Sequence, residues 1–123
     1  ALMTEDGVSA CRESGQQVPE GVAEVACVIY NSLAQCYAQT IKQVESMTGK
    51  KYDRIHIVGG GANAEYLNRL TAKATGIPVY AGPTEATAIG NVAAQMMAAG
   101  ELADLKAARA CVFRSFPISQ YQP

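Results

Sequence analysis

The chain has 123 residues, a formal net charge of −1 and a globular composition, with 49% hydrophobic and 17% charged residues. This composition excludes a disordered chain, and the charge balance gives no reason to expect nucleic acid or an anionic membrane as a partner. No run approaches the roughly 18 apolar residues of a membrane span, and no basic-then-apolar stretch indicates a signal peptide.

Cysteine usage predicts a reduced chain with no metal site. Cys11, Cys27, Cys36 and Cys111 form no Cys-x-x-Cys pair, and His56, the one histidine, is distant from all of them in the sequence. Zinc sites use closely spaced pairs of such ligands, so the cysteines are interpreted as small, buried apolar residues. Reduced thiols are typical of the cytosol, and we therefore expect a cytoplasmic protein.

Two helices are predicted before the first strand. Residues 4–13 predict a short helix that Ser14-Gly15 closes. After a linker at Val18-Pro19-Glu20, apolar residues recur every three or four positions up to Met47, which predicts one long amphipathic helix. Gly49 is expected to end it. Its predicted inward-facing residues are Val22, Val25, Ala26, Ile29, Leu33, Cys36, Tyr37, Ile41, Val44 and Met47.

Two short strands follow, each leading into a helix. The apolar run Arg54–Val58 predicts a strand covered on both faces, with His56 as a buried structural residue. Ile77–Tyr80 predicts a second strand, with Pro78 at an edge or at the strand start. The helix between them is predicted from Asn63 to Thr75. Its predicted inward-facing residues are Leu67, Leu70 and Ala74.

The last third of the chain predicts two helices and an irregular tail. A helix is predicted for Thr84–Ala99, with Thr84 as its N-cap. A shorter helix is predicted for residues 102–110, and Phe113–Pro123 is predicted to be irregular. Short parallel strands packed with long helices indicate an α/β fold whose sheet is incomplete, because neither strand has both neighbours within this chain. We therefore expect part of a larger domain, or a segment that associates with itself.

Gly59-Gly60-Gly61 directly follows the first predicted strand and precedes a helix. Glycine lets the backbone approach a ligand closely and adopt positive φ, and the helix N-terminus offers free N–H groups. A phosphate or a nucleotide suits such a turn. The alternative is a tight strand-to-helix turn that needs glycine without any ligand.

Two other phosphate-binding patterns are weaker. Residues 59–64 satisfy Gly-x-Gly-x-x-Ala, the dinucleotide fingerprint, which expects an acidic residue near the end of the second strand. Residues 79–82 at that place hold no acid, so a dinucleotide-binding oxidoreductase is disfavoured. A phosphate loop ending in Gly-Lys-Ser or Gly-Lys-Thr is absent too, because Lys51 follows Gly49-Lys50.

No catalytic residue is predicted in this chain. Glu20 and Glu24 lie one helical turn apart and are expected to face solvent. Glu85 is placed at a helix N-terminus, where its carboxylate either complements the dipole or faces the nucleotide. No pair in the sequence resembles a base beside a nucleophile.

Two strings carry a family resemblance. Residues 57–68, IVGGGANAEYLN, resemble the adenosine motif of the FGGY carbohydrate kinases, and residues 81–91, AGPTEATAIGN, resemble the Gly-Pro-x-Glu-Ala-Thr-Ala-x-Gly-Asn string that follows it there. The stretches 11–20 and 115–123 are similar to one branch of that family. The resemblance runs over nearly the whole chain.

The resemblance implies a fold and an activity. FGGY kinases have two similar domains of the ribonuclease H-like, actin-like ATPase fold, with ATP between them. Residues 1–123 would then be the C-terminal part of the second domain, with the first domain and the start of the second absent. The implied reaction is phosphorylation of a sugar hydroxyl, in this branch on a ketose, by ATP with Mg²⁺.

The resemblance also implies site residues. Gly59, Gly60 and Gly61 would lie against the adenosine and the α-phosphate side of the nucleotide, with Gly60 the foremost contact. Relatives often place an asparagine where this chain has Ala64, so either Asn63 makes the adenine contact or stacking and backbone alone hold the base. The catalytic aspartate and the sugar site would lie outside this chain.

The expected partners are therefore ATP or ADP, a ketose sugar and the remainder of the kinase chain, and the segment alone would be inactive. Two alternatives remain open. One is an FGGY kinase acting on fuculose, xylulose or a related polyol. The other is a non-catalytic module that uses the ATPase-like fold only for association.

Overall fold

The computed structural model describes residues 2–123, with side chains from residue 4 onward. It has five α-helices, three short strands and one 3₁₀ turn in these residues. In chain order they are α1 (Leu2–Glu13), α2 (Gly21–Thr48), β1 (Ile55–Ile57), the 3₁₀ turn (Gly60–Asn63), α3 (Glu65–Thr75), β2 (Val79–Ala81), α4 (Ala86–Ala98), α5 (Leu105–Ser115) and β3 (Ser119–Tyr121). No helix in this range is both long and apolar enough to cross a membrane.

The three strands form one sheet in the order β1-β2-β3. β1 and β2 run parallel with Ile57 opposite Ala81, and β2 pairs antiparallel with β3, where Val79 faces Tyr121. The prediction of an irregular tail for residues 113–123 is therefore wrong. The expectation that neither predicted strand has both neighbours within this chain is wrong for β2 as well, which lies between β1 and β3. Residues 119–121 are polar and short, so no local pattern marks them as a strand, and the ladder that β2 offers determines their conformation.

The structure confirms the predicted long helix, α2, and its end at Gly49. Gly49 is left-handed, with φ of 68°, and donates its N–H to Glu45 O at 2.8 Å, as glycine at a helix C-terminus does. The Glu45 carboxylate then accepts hydrogen bonds from Tyr52 N and Lys51 Nζ, each at 3.3 Å. The Tyr52 backbone bond lowers the pKa of Glu45 below its ordinary value, so the carboxylate stabilises the turn into β1 in its ionised form.

The core lies where α2 and α3 pack together beside β2. Its buried members include Val25 and Ala34 of α2, Ala72 of α3, and Val79 and Ala81 of β2. Most of the apolar face predicted for α2 is not covered. Val22 and Met47 are 87% and 85% exposed, because the helix is longer than the elements that pack against it within the described residues.

The first strand is also less covered than predicted. Its burial alternates, with Ile55 and Ile57 partly buried and His56 exposed, so the prediction of a buried histidine is wrong. The imidazole instead stacks on Tyr80 of β2, with ring centroids 5.4 Å apart. β1 is an edge strand in the described sheet, and on the face that carries His56 a cavity separates the strand from α4 and α5, which accounts for the exposure.

Helices α3 and α4 begin later than predicted. α3 begins at Glu65 rather than Asn63, because residues 60–63 form the 3₁₀ turn. It buries Asn68, Thr71 and Ala72, while Leu67 and Leu70 are only partly buried and Ala74 is exposed. α4 has Glu85 rather than Thr84 at its N-cap position.

The cysteines and the last helix also differ in part from expectation. Only Cys11 is buried; Cys27 and Cys36 are exposed and Cys111 is intermediate, all four as free thiols. Asp104 caps α5 by accepting a hydrogen bond from Ala107 N at 2.8 Å, an arrangement that satisfies one free N–H of the first turn. α5 therefore begins at Leu105 rather than at residue 102, and it extends to Ser115, beyond the predicted end at residue 110.

Of the glycines in the described chain, Gly82 is the one at which we expect an alanine to destabilise the fold most. Its φ is 125°, and a Cβ there would lie 2.7 Å from Pro117 O. We expect Gly82→Ala to lower the free energy of unfolding by at least about 2 kcal/mol. Gly7 in α1 has open space around its Cβ position, so we expect Gly7→Ala to raise the free energy of unfolding by up to about 1 kcal/mol. Urea denaturation measures both, and equal effects would contradict the β2–β3 geometry.

Candidate functional site

The glycine turn leaves β1 in a conformation that requires glycine. Gly59 has φ of 80° and ψ of −165°, a region that side chains other than glycine rarely enter. Its N–H donates to Pro83 O at 3.1 Å, and its carbonyl accepts from Ala62 N at 3.0 Å. The first glycine therefore sets the direction of the chain, and the 3₁₀ turn that follows presents the next two.

Gly60 and Gly61 present an open backbone surface. Neither N–H donates a hydrogen bond to any described residue. Apart from the adjoining residues, no heavy atom lies within 4 Å of the Cβ position of either one. The first-turn N–H groups of α3 begin directly beyond, at Glu65. Free donors together with empty space are what close approach of a ligand to the backbone needs.

The second string lies beside this turn. Gly82 N donates to Ile57 O at 2.8 Å, and Thr84 Oγ1 donates to Asn63 Oδ1 at 3.2 Å. Together with the bond from Gly59 to Pro83, these contacts join two loops that are about twenty residues apart in sequence. Both loops follow the carboxyl ends of parallel strands, the edge where open α/β sheets bind their ligands.

Asn63 is therefore already engaged by the protein. Its Oδ1 accepts from Thr84, while its Nδ2 makes no hydrogen bond to a described residue, and the residue is exposed. The amide hydrogens are thus the part of the side chain that remains available to a ligand. The structure brings Gly59, Gly60, Gly61 and Asn63 together in one continuous turn.

The described residues around this turn offer no acid–base pair. No side-chain hydrogen bond in residues 4–123 joins a carboxylate or the imidazole to a hydroxyl or thiol, and no three metal-binding side chains of that range converge. Glu85 is exposed at the start of α4.

In the first turn of α3, a hydrogen bond with Cys27 Sγ at 3.5 Å raises the pKa of Tyr66. The Tyr66 contact belongs to the packing of α3 on α2. Besides the bond to Cys27, its ring meets Tyr30 edge-on with centroids 5.8 Å apart. Both partners are on α2, so the first turn of α3 is held against the long helix. These contacts place the start of α3, which directly follows the glycine turn, next to α2.

A cavity of about 690 Å³ lies between the sheet and helices α4 and α5. Its walls are mostly apolar, with His56 and Arg109 as the ionisable residues. Gly82 and Pro83 line its edge, so it adjoins the second string. Its apolar walls suit protein packing better than a charged ligand.

Comparison with known proteins identifies the family. Residues 5–99 match the C-terminal domain of the FGGY family of carbohydrate kinases. The chain belongs to this family. The two strings of the candidate site both lie inside the matched range, so the joined loops are part of the FGGY C-terminal domain.

Individual FGGY relatives are similar to nearly the whole chain. A rhamnulokinase of Bacillus subtilis is 50% identical over 113 residues, which are 92% of this chain and 23% of that protein. A rhamnulokinase of Enterococcus faecalis is 47% identical over 114 residues, covering 91% and 23%, and one of Bacteroides thetaiotaomicron is 42% identical over 113. The chain spans about a quarter of the length of the curated relatives it matches.

Sequence reasoning missed the residues that connect the two loops. Thr84 was expected to cap α4, but its hydroxyl donates to Asn63, and Pro83 contributes only its carbonyl. Asn68 also contacts the turn, because its side chain donates to Ala62 O at 3.0 Å. The face predicted to point inward on this helix is Leu67, Leu70 and Ala74, which does not include Asn68, so no local pattern marks this residue.

The hydrogen-bond pattern of the turn predicts a contrast between adjacent amides. Gly59 and Gly82 donate to carbonyls, whereas Gly60 and Gly61 do not. In the ligand-free protein we expect the first pair to exchange with solvent at least about tenfold more slowly than the second pair. Hydrogen exchange read by NMR measures all four amides in one experiment, so the two pairs are compared within the same sample. Equal exchange at all four would contradict the described turn.

Proposed function

We propose that this chain is the nucleotide-binding C-terminal segment of a sugar kinase that transfers the γ-phosphoryl of ATP to L-rhamnulose, giving L-rhamnulose 1-phosphate. The observation that carries the proposal is the open backbone of Gly60 and Gly61 at the junction of the two FGGY strings. The similarity to rhamnulokinases supports the ketose. Within this proposal the domain has the ribonuclease H-like ATPase fold.

The charge beside the turn favours the nucleoside over the terminal phosphates. Glu65 occupies the first turn of α3 and already supplies a negative charge to that helix end. A triphosphate there would meet like charge, whereas adenosine would not. Adenosine would therefore lie on Gly60 and Gly61, and the α-phosphate would lie on the side away from Glu65.

Asn63 is proposed to contact the adenine through its Nδ2. The bond from Thr84 holds Oδ1, so the amide presents a donor in a fixed orientation. Adenine has ring nitrogens that accept such a bond. In this arrangement the second string contributes indirectly, because it orients the side chain that the first string carries.

The rest of the reaction is assigned to residues outside this chain. Phosphoryl transfer needs a base, in-line positioning and a metal-bound triphosphate. The residues described here supply no cluster of carboxylates for Mg²⁺, so the metal would be held by the phosphates and by the remainder of the protein. This segment binds and orients one end of the nucleotide, and alone it would have no turnover.

The remainder of the same polypeptide is the proposed partner. Ile55 N donates to Pro78 O and Ile57 O accepts from Gly82 N, so the N–H and C=O of His56 point away from β2. No described strand pairs with this outer edge of β1. Apolar side chains on α2, including Val22 and Met47, are exposed as well. Without its partner the segment would associate with itself. Nucleic acid and membranes are not proposed as partners, and the cytoplasm is the proposed location.

A coupled ADP-release assay on the intact chain with L-rhamnulose tests the proposed reaction. Turnover of fuculose, xylulose or another polyol instead of L-rhamnulose would favour a different FGGY kinase. Absence of ATP binding by the intact chain would favour the non-catalytic association module. Turnover by residues 1–123 alone would contradict the assignment of the base to another part of the protein.

Gly60→Ala tests the nucleotide contact without disturbing the fold. Its Cβ would meet no atom within 4 Å and its φ is not positive, so the methyl group projects only into the ligand space. We expect the KM for ATP to rise about tenfold, equivalent to about 1.4 kcal/mol, with the KM for the ketose unchanged. Steady-state kinetics measures both, and Gly7→Ala in α1 is the control. An unaltered KM for ATP would exclude contact at Gly60.

A further inference from the structure

Asn68 is an unusual residue for the interior of α3. It is 1% exposed, and among the described residues only Thr71 is a comparably buried polar side chain. Nothing at this position gives access to solvent. An apolar residue would fill the same space between α3 and the glycine turn without the desolvation penalty that a buried amide carries.

The side chain of Asn68 reaches back to the glycine turn. Its Nδ2 donates to Ala62 O at 3.0 Å, and its own backbone N–H donates to Ala64 O at 2.9 Å. Ala62 is itself buried. The amide therefore fixes the plane of the peptide that joins Ala62 to Asn63, immediately after the two glycines with free N–H groups.

The oxygen of the same side chain has no hydrogen-bond partner among the described residues. Asn68 Oδ1 is buried and accepts no hydrogen bond from the described residues, a situation that costs stability. Thr71, one helical turn along, bonds to Leu67 O within α3 at 2.7 Å. The hydroxyl of Thr71 is thus satisfied within its own helix, whereas the one hydrogen bond that the Asn68 side chain makes to a described residue goes to the turn.

The turn needs such a restraint because glycine backbone is soft. Gly60 and Gly61 have no side chains to pack, and many conformations are open to them. Gly59 ties the start of the turn to Pro83, and Thr84 ties Asn63 from outside. The Asn68 amide is the contact from the protein interior. Without it, the carbonyl of Ala62 would be free to rotate.

We infer that Asn68 is a positioning residue for nucleotide binding, which acts through Ala62 to hold the Gly60–Asn63 turn in its open form. This inference rests on the proposed function. Asn68 does not touch the nucleotide; it keeps the free N–H groups and the Asn63 amide in the arrangement that the nucleotide meets. Its loss therefore weakens binding of ATP and ADP without altering the ketose site.

The test compares Asn68→Asp and Asn68→Leu with Thr71→Val in the intact kinase. Asp keeps the shape and Oδ1 but loses the donor to Ala62; Leu loses the donor without introducing a buried charge, should the Asp variant fail to fold. Thr71→Val perturbs an equally buried position on the same helix and leaves the turn untouched. It therefore controls for a general loss of stability.

For an Asn68 variant we expect the Kd for ADP and the KM for ATP to rise about tenfold. The value of kcat at saturating ATP should fall less than about threefold, and the KM for the ketose should stay the same. Amides of residues 60–64 should exchange at least about fivefold faster with solvent. Thr71→Val should lower the melting temperature and leave the nucleotide constants and the turn amides unchanged.

Two results would overturn the inference. One is an Asn68 variant with a lowered melting temperature but wild-type Kd for ADP; the other is equal loosening of the turn in Thr71→Val. A wild-type protein that binds no ADP would instead contradict the proposed function. In that case the exchange of residues 60–64 still decides whether Asn68 holds the turn.

Discussion

The parallel pairing of β1 with β2 is the contact on which the candidate site depends. Its register places Ile57 opposite Ala81, so the residues that follow each strand leave the sheet at the same edge. Gly59 then meets Pro83, and Asn63 meets Thr84. A slip of one residue would turn the side chains to opposite faces and would separate all of these partners. Two loops distant in sequence become one surface because the register is fixed.

The local features of the fold were predictable and the non-local ones were not. Gly49 marked the end of α2, and the predicted end of α3 at Thr75 directly precedes Gly76; both glycines are left-handed in the structure. The glycine turn was marked by its composition. β3 was missed because only the edge of β2 makes residues 119–121 a strand. The exposure of His56 was missed because it depends on what packs across the sheet, which no local pattern encodes.

The same holds for the candidate site, whose position could be predicted from the sequence and whose supporting contacts could not. Gly59, Gly60, Gly61 and Asn63 were named from the sequence, and the structure places them in one turn. Their roles toward a nucleotide remain proposals. Thr84 and Asn68, the side chains that hold the turn from its two sides, could not be found from spacing, because each bond depends on the placement of a separate element. The strings gave the location of the site, and the packing supplies its rigidity.

We propose that the nucleotide lies on the open backbone of Gly60 and Gly61. A crystal structure of the intact chain with ADP bound would show this contact. We expect adenosine in van der Waals contact with both glycines and Asn63 Nδ2 within hydrogen-bond distance of the base. ADP bound elsewhere, with Gly60 and Gly61 covered by another part of the protein, would contradict it.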